Sequence, residues 1–211
     1  MDISNKTLAW LLIGAIIVSI LGTFTALNRI QKLGITGAAT ENATGQTQLQ
    51  VQTSASIRFA DDTVDFGSWQ VNASAYTNCT IETETPSASS GCIGGSAPND
   101  YLVIENDGNV NFTSVNLKSN ATAAQFIGGN SSIVKFQWKI ADNETPGPSC
   151  SALYQDDDWH DVDTSASGVK ICDDFNFLND KDSLRVYFRI VIPYDAPQGV
   201  KTAQIKVIGN Y

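Results

Sequence analysis

A run of twenty residues without a charge, Leu8 to Leu27, constrains the fold of this chain more than any other feature. Twenty residues of α-helix rise about 30 Å, which matches the hydrocarbon thickness of a lipid bilayer. A helical pattern continues to Leu33, and Gly34 is suited to cap the C-terminal end of the helix. The sequence therefore predicts one hydrophobic helix over residues 1–34. This helix can cross a membrane, and the part that exceeds the bilayer core lies in the headgroups or packs against protein.

A cleaved secretory signal is the alternative interpretation of this run. Such signals also place a basic residue, here Lys6, before an apolar segment. Their apolar cores extend for about 7 to 15 residues and end at a small-x-small cleavage site. This run is longer, and Phe24 stands where a small residue is needed, so a retained helix is favoured.

Two signals conflict on which side of a membrane the rest of the chain lies. Arg29 and Lys32 follow the run while Lys6 precedes it, and the positive-inside rule then favours a cytoplasmic C-terminal part. Asn-x-Ser/Thr sequons favour an exported one, because they are more frequent than chance after the helix. One sequon is at Asn5, and the others begin at Asn42, Asn72, Asn78, Asn111, Asn120, Asn130 and Asn143. The sequons outweigh the cations, so the C-terminal part is predicted to be extracellular.

The chain beyond the helix divides into a tether and a β-domain. Residues 35–46 are small, polar and aperiodic, which predicts a flexible linker to a domain over 47–211. Alternation of apolar and polar residues predicts a strand over 48–59. Further strands are predicted over 63–71, 101–105, 110–117, 133–140, 184–192 and 201–208. No helical period appears after Gly34, so the predicted fold is mainly β: an antiparallel β-sandwich of the Ig-like, Greek-key or jelly-roll kind, preceded by one long hydrophobic helix.

Four cysteines lie in the predicted β-domain. Cys79 and Cys92 bracket a Ser/Pro/Gly-rich insert, whereas Cys150 and Cys172 bracket an acidic one. Of the three possible connectivities the sequential pairing is favoured, because each bond then closes one loop and stabilises the fold by on the order of 3 kcal/mol. An even number of cysteines is also typical of an oxidising compartment.

Charge limits the partners of this domain. Residues after Gly34 carry 10 basic and 21 acidic side chains, a net charge of −11. Such a domain repels the phosphates of nucleic acid and of anionic lipid headgroups. Nucleic acid is therefore excluded as an expected partner.

Nine aspartates between Asp156 and Asp182 form the one concentrated charge cluster. Asp156, Asp158, Asp161 and Asp163 provide hard oxygen ligands at the close spacing that Ca²⁺ accepts, although the spacing is not that of an EF-hand. The alternative interpretation is a solvated acidic loop without a metal. The sequence therefore predicts no obligatory cofactor and one candidate calcium site.

Catalytic motifs are absent from the sequence. His160 is the one histidine, and no Cys-x-x-Cys, Gly-x-Ser-x-Gly or phosphate-binding glycine loop is present. A Ser-His-Asp site could be built with His160 beside Asp158 or Asp161, and paired carboxylates could serve a glycosidase. A non-enzymatic protein is predicted, with an exported hydrolase as the third option.

Two family resemblances follow from these features. The apolar helix, the Thr/Gly/Ala tether and the sequon-rich β-domain resemble, over residues 3–60, archaeal type IV pilins and archaellins. This resemblance implies a filament whose core is a bundle of helices coated by β-domains. The segments 59–67 and 102–112 are also similar to the strand and turn layout of extracellular fibre proteins of the TasA and camelysin kind. Both resemblances imply structural surface proteins, and neither supplies a catalytic residue.

The leading hypothesis is a non-enzymatic subunit of an extracellular pilus- or archaellum-like filament, which polymerises with copies of itself through its N-terminal helix. Gly14, Ala15, Ser19 and Gly22 support it, because small residues let helix backbones approach closely. The alternative is a single-pass, membrane-anchored surface protein whose β-sandwich binds a ligand or Ca²⁺. Both hypotheses place the β-domain outside the cell.

Overall fold

A computed structural model describes residues 5–32, 49–145 and 147–211 and divides the chain into two units. The first unit contains a long helix, and the second begins at Val51. The predicted tether over 35–46 and the sequon at Asn42 lie outside the described residues.

The first unit is the predicted hydrophobic helix, α1 (Asn5–Lys32), whose 28 residues span about 42 Å at the ordinary helical rise. Its apolar stretch, Lys6–Ala26, has 21 residues and a mean hydropathy of 2.2, and none of it is buried. The hydroxyl of Thr23 donates to the Ser19 carbonyl at 2.8 Å, and that of Thr25 donates to the Leu21 carbonyl at 2.9 Å. These bonds satisfy the two hydroxyls within the helix, as an apolar environment requires.

The second unit is antiparallel β-structure, which confirms the predicted fold class. A single helical turn, α2 (Ala123–Phe126), interrupts it. Its strands are β1 (Arg58–Asp61), β2 (Gln70–Val71), β3 (Asn78–Glu82), β4 (Ser87–Ala88), β5 (Cys92–Ile93), β6 (Leu102–Glu105), β7 (Phe112–Ser119), β8 (Lys135–Asp142), β9 (Ala152–Leu153), β10 (His160–Asp161), β11 (Val169–Phe175), β12 (Ser183–Pro193) and β13 (Ile205–Asn210).

The larger sheet is organised around β12, the longest strand. Leu184 to Val191 pair with β8 along one edge of β12. The opposite edge is shared, because β6 pairs with Ser183 to Val186 and β3 pairs with Arg189 to Pro193. Strands β1, β4 and β10 then add to β6, β3 and β8. The second sheet has the order β13-β7-β11-β9, and β2 with β5 forms a small ribbon.

Alternation along the central strands explains the core. Leu184, Val186, Phe188 and Ile190 of β12 are buried, while the intervening residues are only half-buried. The second sheet contributes to the same apolar cluster from β7 and β11, with Val115, Leu117, Ile171 and Phe175. The two larger sheets therefore enclose one core, as the layers of a β-sandwich do.

Two predicted strands are shorter than expected. Of the strand predicted over 48–59, only the part from Arg58 joins a ladder, and Leu49 and Val51 are 87 % and 76 % exposed. Of the strand predicted over 63–71, only β2 forms. Asp65 accepts a hydrogen bond from the Gly67 amide at 2.8 Å, and such local side-chain bonds replace ladder bonds. Alternation therefore predicted strands that find a partner over only part of their length, and it wrongly predicted that Leu49 and Val51 are buried.

Two core strands and one helical turn were not predicted from the sequence. Strands β3 and β11 lie within segments interpreted as inserts, because polar Asn, Thr, Lys and Asp residues interrupt their apolar positions. Cys79 and Cys172 are fully buried in these strands rather than exposed at loop ends. Thr122 caps α2, accepting from the Gln125 amide, while Gln125 bonds back to Thr122. The expectation of no helix after Gly34 was wrong by this one turn.

Candidate functional site

The surface of α1 is the most unusual feature of the described residues. Large side chains such as Trp10, Val18 and Phe24 are about two-thirds or more exposed, and exposed apolar residues occur on all sides of the helix. Burying apolar surface is worth about 25 cal/mol per Å², so an isolated helix of this kind in water is strongly disfavoured. The helix is therefore expected to have its apolar surface in contact with lipid or with protein rather than with water.

Small residues form one face of α1. At about 100° per residue, Ala15, Ser19 and Gly22 lie within about 60° of one another around the helix axis, and Gly14 lies on the adjacent face. A Cβ atom added at Gly14 or Gly22 would meet no heavy atom within 4 Å. The structure thus brings three of the four predicted packing residues onto one face and leaves the fourth beside it.

The second unit has two ends, which the strand registers define. The entry end contains the turn 106–109, the start of β7 and the start of β12, where Ser183 pairs with Glu105. The far end contains the end of β7, the start of β8 and the end of β12. Contacts across the sheets join the same ends, since the Ser119 amide donates to the Asp163 carbonyl at 2.7 Å and the Val162 amide donates to the Phe136 carbonyl at 3.1 Å.

The chain enters the second unit at the turn 106–109. The Ser54 amide donates to Oδ1 of Asn109 at 2.7 Å, and the Asn109 amide donates back to the Ser54 carbonyl at 2.8 Å. Nδ2 of Asn109 also donates to the Gln52 carbonyl at 2.8 Å. A side chain at Gly108 would collide with the Ser54 carbonyl, which its Cβ would approach to 2.5 Å. The turn therefore holds the entering segment through the side chain and the backbone amide of Asn109.

Asn106 fixes this turn to both sheets. The side chain is 1 % exposed, and its Nδ2 donates to the carbonyls of Val110 and Asn176, each at 3.0 Å. Its backbone amide donates to the Asp182 carbonyl at 2.9 Å. Buried amides of this kind are stabilising only while their partners stay in place. The sequence predicts a turn at 106–109, but it does not identify Asn106 as the residue that holds the turn in place.

The candidate calcium ligands do not converge. Asp161 faces Gln137, whose Nε2 donates to Oδ1 at 2.9 Å, and Lys135 at 3.7 Å. Asp163 accepts from the Ser165 hydroxyl at 2.6 Å, which lowers the pKa of Asp163. Asp156 and Asp158 are exposed on the preceding loop. Within the ranges that the structure describes, no group of three or more His, Cys, Asp or Glu side chains is arranged to hold a metal ion. The structure therefore does not bring the four predicted ligands together, and the calcium site stays a prediction beside the alternative of a solvated acidic loop.

His160 does not assemble the triad considered from the sequence. Its Nε2 lies 2.9 Å from Oδ1 of Asp157, rather than from Asp158 or Asp161. This hydrogen bond is the main reason that the pKa of Asp157 is lowered. No serine hydroxyl is bonded to His160 in the described part of the chain.

The carboxyl of Asp182 has a pKa well above its ordinary value. It is 7 % exposed at the entry end, and burial raises its pKa to about 6, with Glu144 and Glu105 adding repulsion. Its backbone amide donates to Oε2 of Glu144 at 2.9 Å. The Asp182 carboxyl therefore lies inside a structural turn, and its protonation relieves the repulsion from the neighbouring carboxylates.

Both disulfides lie in the second unit, and each is anchored in a core strand. Cys79 bonds to Cys92 and so joins β3 to β5, with the two Cα atoms 4.7 Å apart. Cys150 bonds to Cys172 of β11, with the Cα atoms 5.6 Å apart. These are the two pairs that the sequence favoured, and no free cysteine is present in the described ranges. Because Cys79 and Cys172 belong to core strands, the bonds tie peripheral segments to the core.

Cations on the outer side of the larger sheet are paired within the unit. Arg185 stacks 4.8 Å from the ring of Tyr101, and Arg189 stacks 5.1 Å from the ring of Trp159. Lys139 lies 2.9 Å from Oε1 of Glu84. Apart from the alternation of β12, no sequence pattern predicts this face, since the partners come from distant segments. These pairs make the face a polar surface without a basic groove.

The predicted glycosylation sites differ in exposure. Asn111, Asn120 and Asn130 are exposed, whereas Asn72, Asn78 and Asn143 are half-buried. Asn5 begins α1. These asparagines also differ in secondary structure, since some lie in strands and others in turns. Exposure is therefore not the only property that distinguishes the sites.

Comparisons of this chain with protein-family models, with curated proteins and with solved structures find no match. Functional conclusions about it therefore come from the exposed helix and the disulfide-bonded β unit.

Proposed function

We propose that this chain is a non-enzymatic structural protein of the cell surface, a subunit of a pilus- or archaellum-like filament that polymerises through α1. One observation carries the proposal: a helix with a predominantly apolar stretch of 21 residues, none of it buried, belongs to the same chain as a folded β unit with its own core. The β unit needs no cover, whereas the helix does. Copies of the helix provide that cover for one another in a filament core.

The small residues of α1 support helix-to-helix packing. Where helices associate in an apolar environment, small side chains let the backbones approach and gain dispersion contacts. Ala15, Ser19 and Gly22 supply such a face, and the space around Gly22 is open. Large apolar residues on the other sides allow each helix to contact further neighbours at the same time.

Chemistry of the β unit supports an external location. Its two disulfides are typical of an oxidising compartment, and its sequons suit an exported protein. A net charge of −11 after Gly34 keeps such domains soluble and apart on the outside of an assembly.

A single-pass membrane anchor is the second candidate function. The length of the apolar stretch favours it, because 21 helical residues rise about 32 Å, close to one hydrocarbon core. In that case lipid covers α1, and each copy carries its β unit independently.

Substitution on the small-residue face distinguishes the two functions. Ala15→Leu adds volume on that face, so we expect filaments to be lost while the β unit melts at an unchanged temperature. Ala9→Leu is the matched control, since it makes the same change about 120° around the helix from Ala15. Sedimentation of detergent-free protein measures assembly. Equal sedimentation of both variants and the parent would contradict packing through this face.

A further inference from the structure

We propose that Asn72, Asn120 and Asn130 are the asparagines of the β unit that carry N-linked glycan, and that Asn78, Asn111 and Asn143 do not. The proposal requires export but not any particular role of α1. It rests on how each sequon is held in the folded unit.

Attachment of a glycan sets two physical conditions. The side-chain amide keeps Oδ1 and one hydrogen on Nδ2, while the other hydrogen is replaced by a bulky, hydrophilic chain. Nδ2 must therefore face solvent in the folded protein. The three residues of the sequon must also be free to leave the surface together, because the transferring enzyme binds the hydroxyl of the third residue as well as the asparagine.

Asn143 fails the first condition. Nδ2 donates to the Ser183 hydroxyl at 2.8 Å, and Oδ1 accepts from Nε of Arg185. The backbone carbonyl of Asn143 accepts a further bond from the same guanidinium at 3.4 Å. Its side chain is half-buried, so a glycan there would break the contacts that hold Arg185.

Asn78 and Asn111 fail the second condition. The middle residue of the first sequon is Cys79, which is fully buried and bonded to Cys92. The middle residue of the second is Phe112, which is 3 % exposed in the core. Asn111 is thus exposed but unable to move with its sequon.

The remaining three sequons meet the first condition, and no buried side chain or disulfide in them opposes the second, so only hydrogen bonds hold them to the surface. Their middle residues, Ala73, Ala121 and Ser131, lie outside the strands, and none of them is buried. Oδ1 of Asn120 accepts from the Gln204 amide at 2.8 Å, and Oδ1 of Asn130 accepts from the Ser132 amide at 3.0 Å.

In Asn72 the Ser74 hydroxyl donates to Oδ1 at 2.7 Å. Each of these bonds uses Oδ1, the atom that glycosylation leaves intact. No hydrogen bond in the described ranges engages Nδ2 of Asn72, Asn120 or Asn130.

All three accepted sequons lie at the far end of the β unit. Asn120 directly follows β7, and the Asn130 amide donates to Asp195 at 2.9 Å, just beyond the end of β12. Asn72 follows β2, which pairs with Cys92 and is thereby linked through Cys79 to Ile192. Asn111 and Asn143 lie at the entry end, next to the starts of β7 and β12. The far end, opposite the point where the chain enters, is therefore the glycan-bearing surface.

The reaction uses a lipid-phosphate-linked oligosaccharide as donor. Nδ2 attacks the anomeric carbon, the carbon–oxygen bond to the lipid phosphate breaks, and the phosphate leaves with the electron pair. Nδ2 gives up one proton as the carbon–nitrogen bond forms, and the departing phosphate accepts it. No oxidant or reductant is needed.

The test is glycopeptide mass spectrometry of the full-length chain, produced in a cell that exports it and glycosylates sequons. We expect glycan on the peptides containing Asn72, Asn120 and Asn130, and unmodified asparagine at positions 78, 111 and 143. Asn120→Gln and Asn130→Gln should each remove the mass of one glycan. Asn111→Gln is the matched control, because Asn111 is exposed, as Asn120 and Asn130 are. This variant should keep the glycan mass of the parent.

Glycan at Asn111 or Asn143 would overturn the proposal, as would an unmodified peptide at any of the three accepted sites. A chain without any glycan would also overturn it. None of these results depends on filament assembly. Failure of the glycosylation proposal and failure of the filament proposal are therefore distinguishable.

Discussion

The helix and the β unit solve the problem of apolar surface in opposite ways. The β unit turns its apolar residues inward, so that Trp138, Phe175 and Leu184 are fully buried and its cations are paired at the surface. Helix α1 turns them outward on every side. A region of the first kind is stable by itself, whereas one of the second kind is stable only in lipid or against other helices. The contrast indicates that the function of this chain depends on whether lipid or other helices surround α1.

Removing the helix is the most severe test of this comparison. A fragment of residues 49–211 should be a soluble monomer, because the apolar surface that drives association is gone. Its melting temperature should equal that of the β unit in the full chain. Sedimentation velocity and calorimetry measure the two quantities. An unfolded fragment would show that the β unit depends on α1 and would break the comparison.

Loss of a disulfide should weaken the β unit without affecting α1. Cys150→Ala combined with Cys172→Ala opens a link across 22 residues, which should reduce the free energy of unfolding by about 3 kcal/mol. Urea denaturation measures the loss, and sedimentation of the full chain should be unchanged. Loss of assembly in a variant that remains folded would mean that the two regions are coupled.

The turn at the entry end offers a matched pair of asparagines. Asn106→Ala removes a buried side chain and leaves the half-buried carbonyls of Val110 and Asn176 without its donor, so the free energy of unfolding should fall by about 2 kcal/mol. Asn109→Ala removes exposed bonds to Gln52 and Ser54 and should cost about 1 kcal/mol or less. Hydrogen exchange at the Ser54 amide should accelerate in the second variant. Equal losses in the two variants would contradict the role given to burial.

Asp182 makes the smallest predicted contribution, and it has a definite sign. Its pKa is raised from 3.8 to about 6 on folding, so the folded state binds the proton more tightly than the unfolded state. This group therefore opposes folding above pH 6, and the penalty disappears as the pH falls from about 6 toward 4. Asp182→Asn should stabilise the unit at pH 7.5 by about 1 kcal/mol and have little effect at pH 4. A variant that is less stable than the parent at pH 7.5 would contradict this account.

Some features of this structure were predictable from sequence because a single local pattern determines them. The run Leu8 to Leu27 predicts α1, and the alternation of Leu184, Val186 and Phe188 predicts β12 with its buried side. The disulfide pairs were predictable because nearby cysteines close short loops.

Other features depend on distant residues and could not be predicted. The segment after Leu49 alternates like a strand but is held by the side chain of Asn109. Asp161 looked like a metal ligand, yet β10 pairs with β8 and places it against Gln137. Strand β11 carries polar residues at exposed positions, so its buried Ile171 and Phe175 give too short a pattern to recognise. In each case the deciding partner is far away in the chain.

Electron microscopy of the full-length chain after removal of detergent tests the central claim most directly. If helices of neighbouring copies cover α1, the images should show filaments of uniform width coated by β units, and Ala15→Leu should abolish them while Ala9→Leu does not. Single β units attached to detergent micelles or vesicles, without filaments under any condition that keeps the β unit folded, would contradict the claim and identify α1 as a membrane anchor.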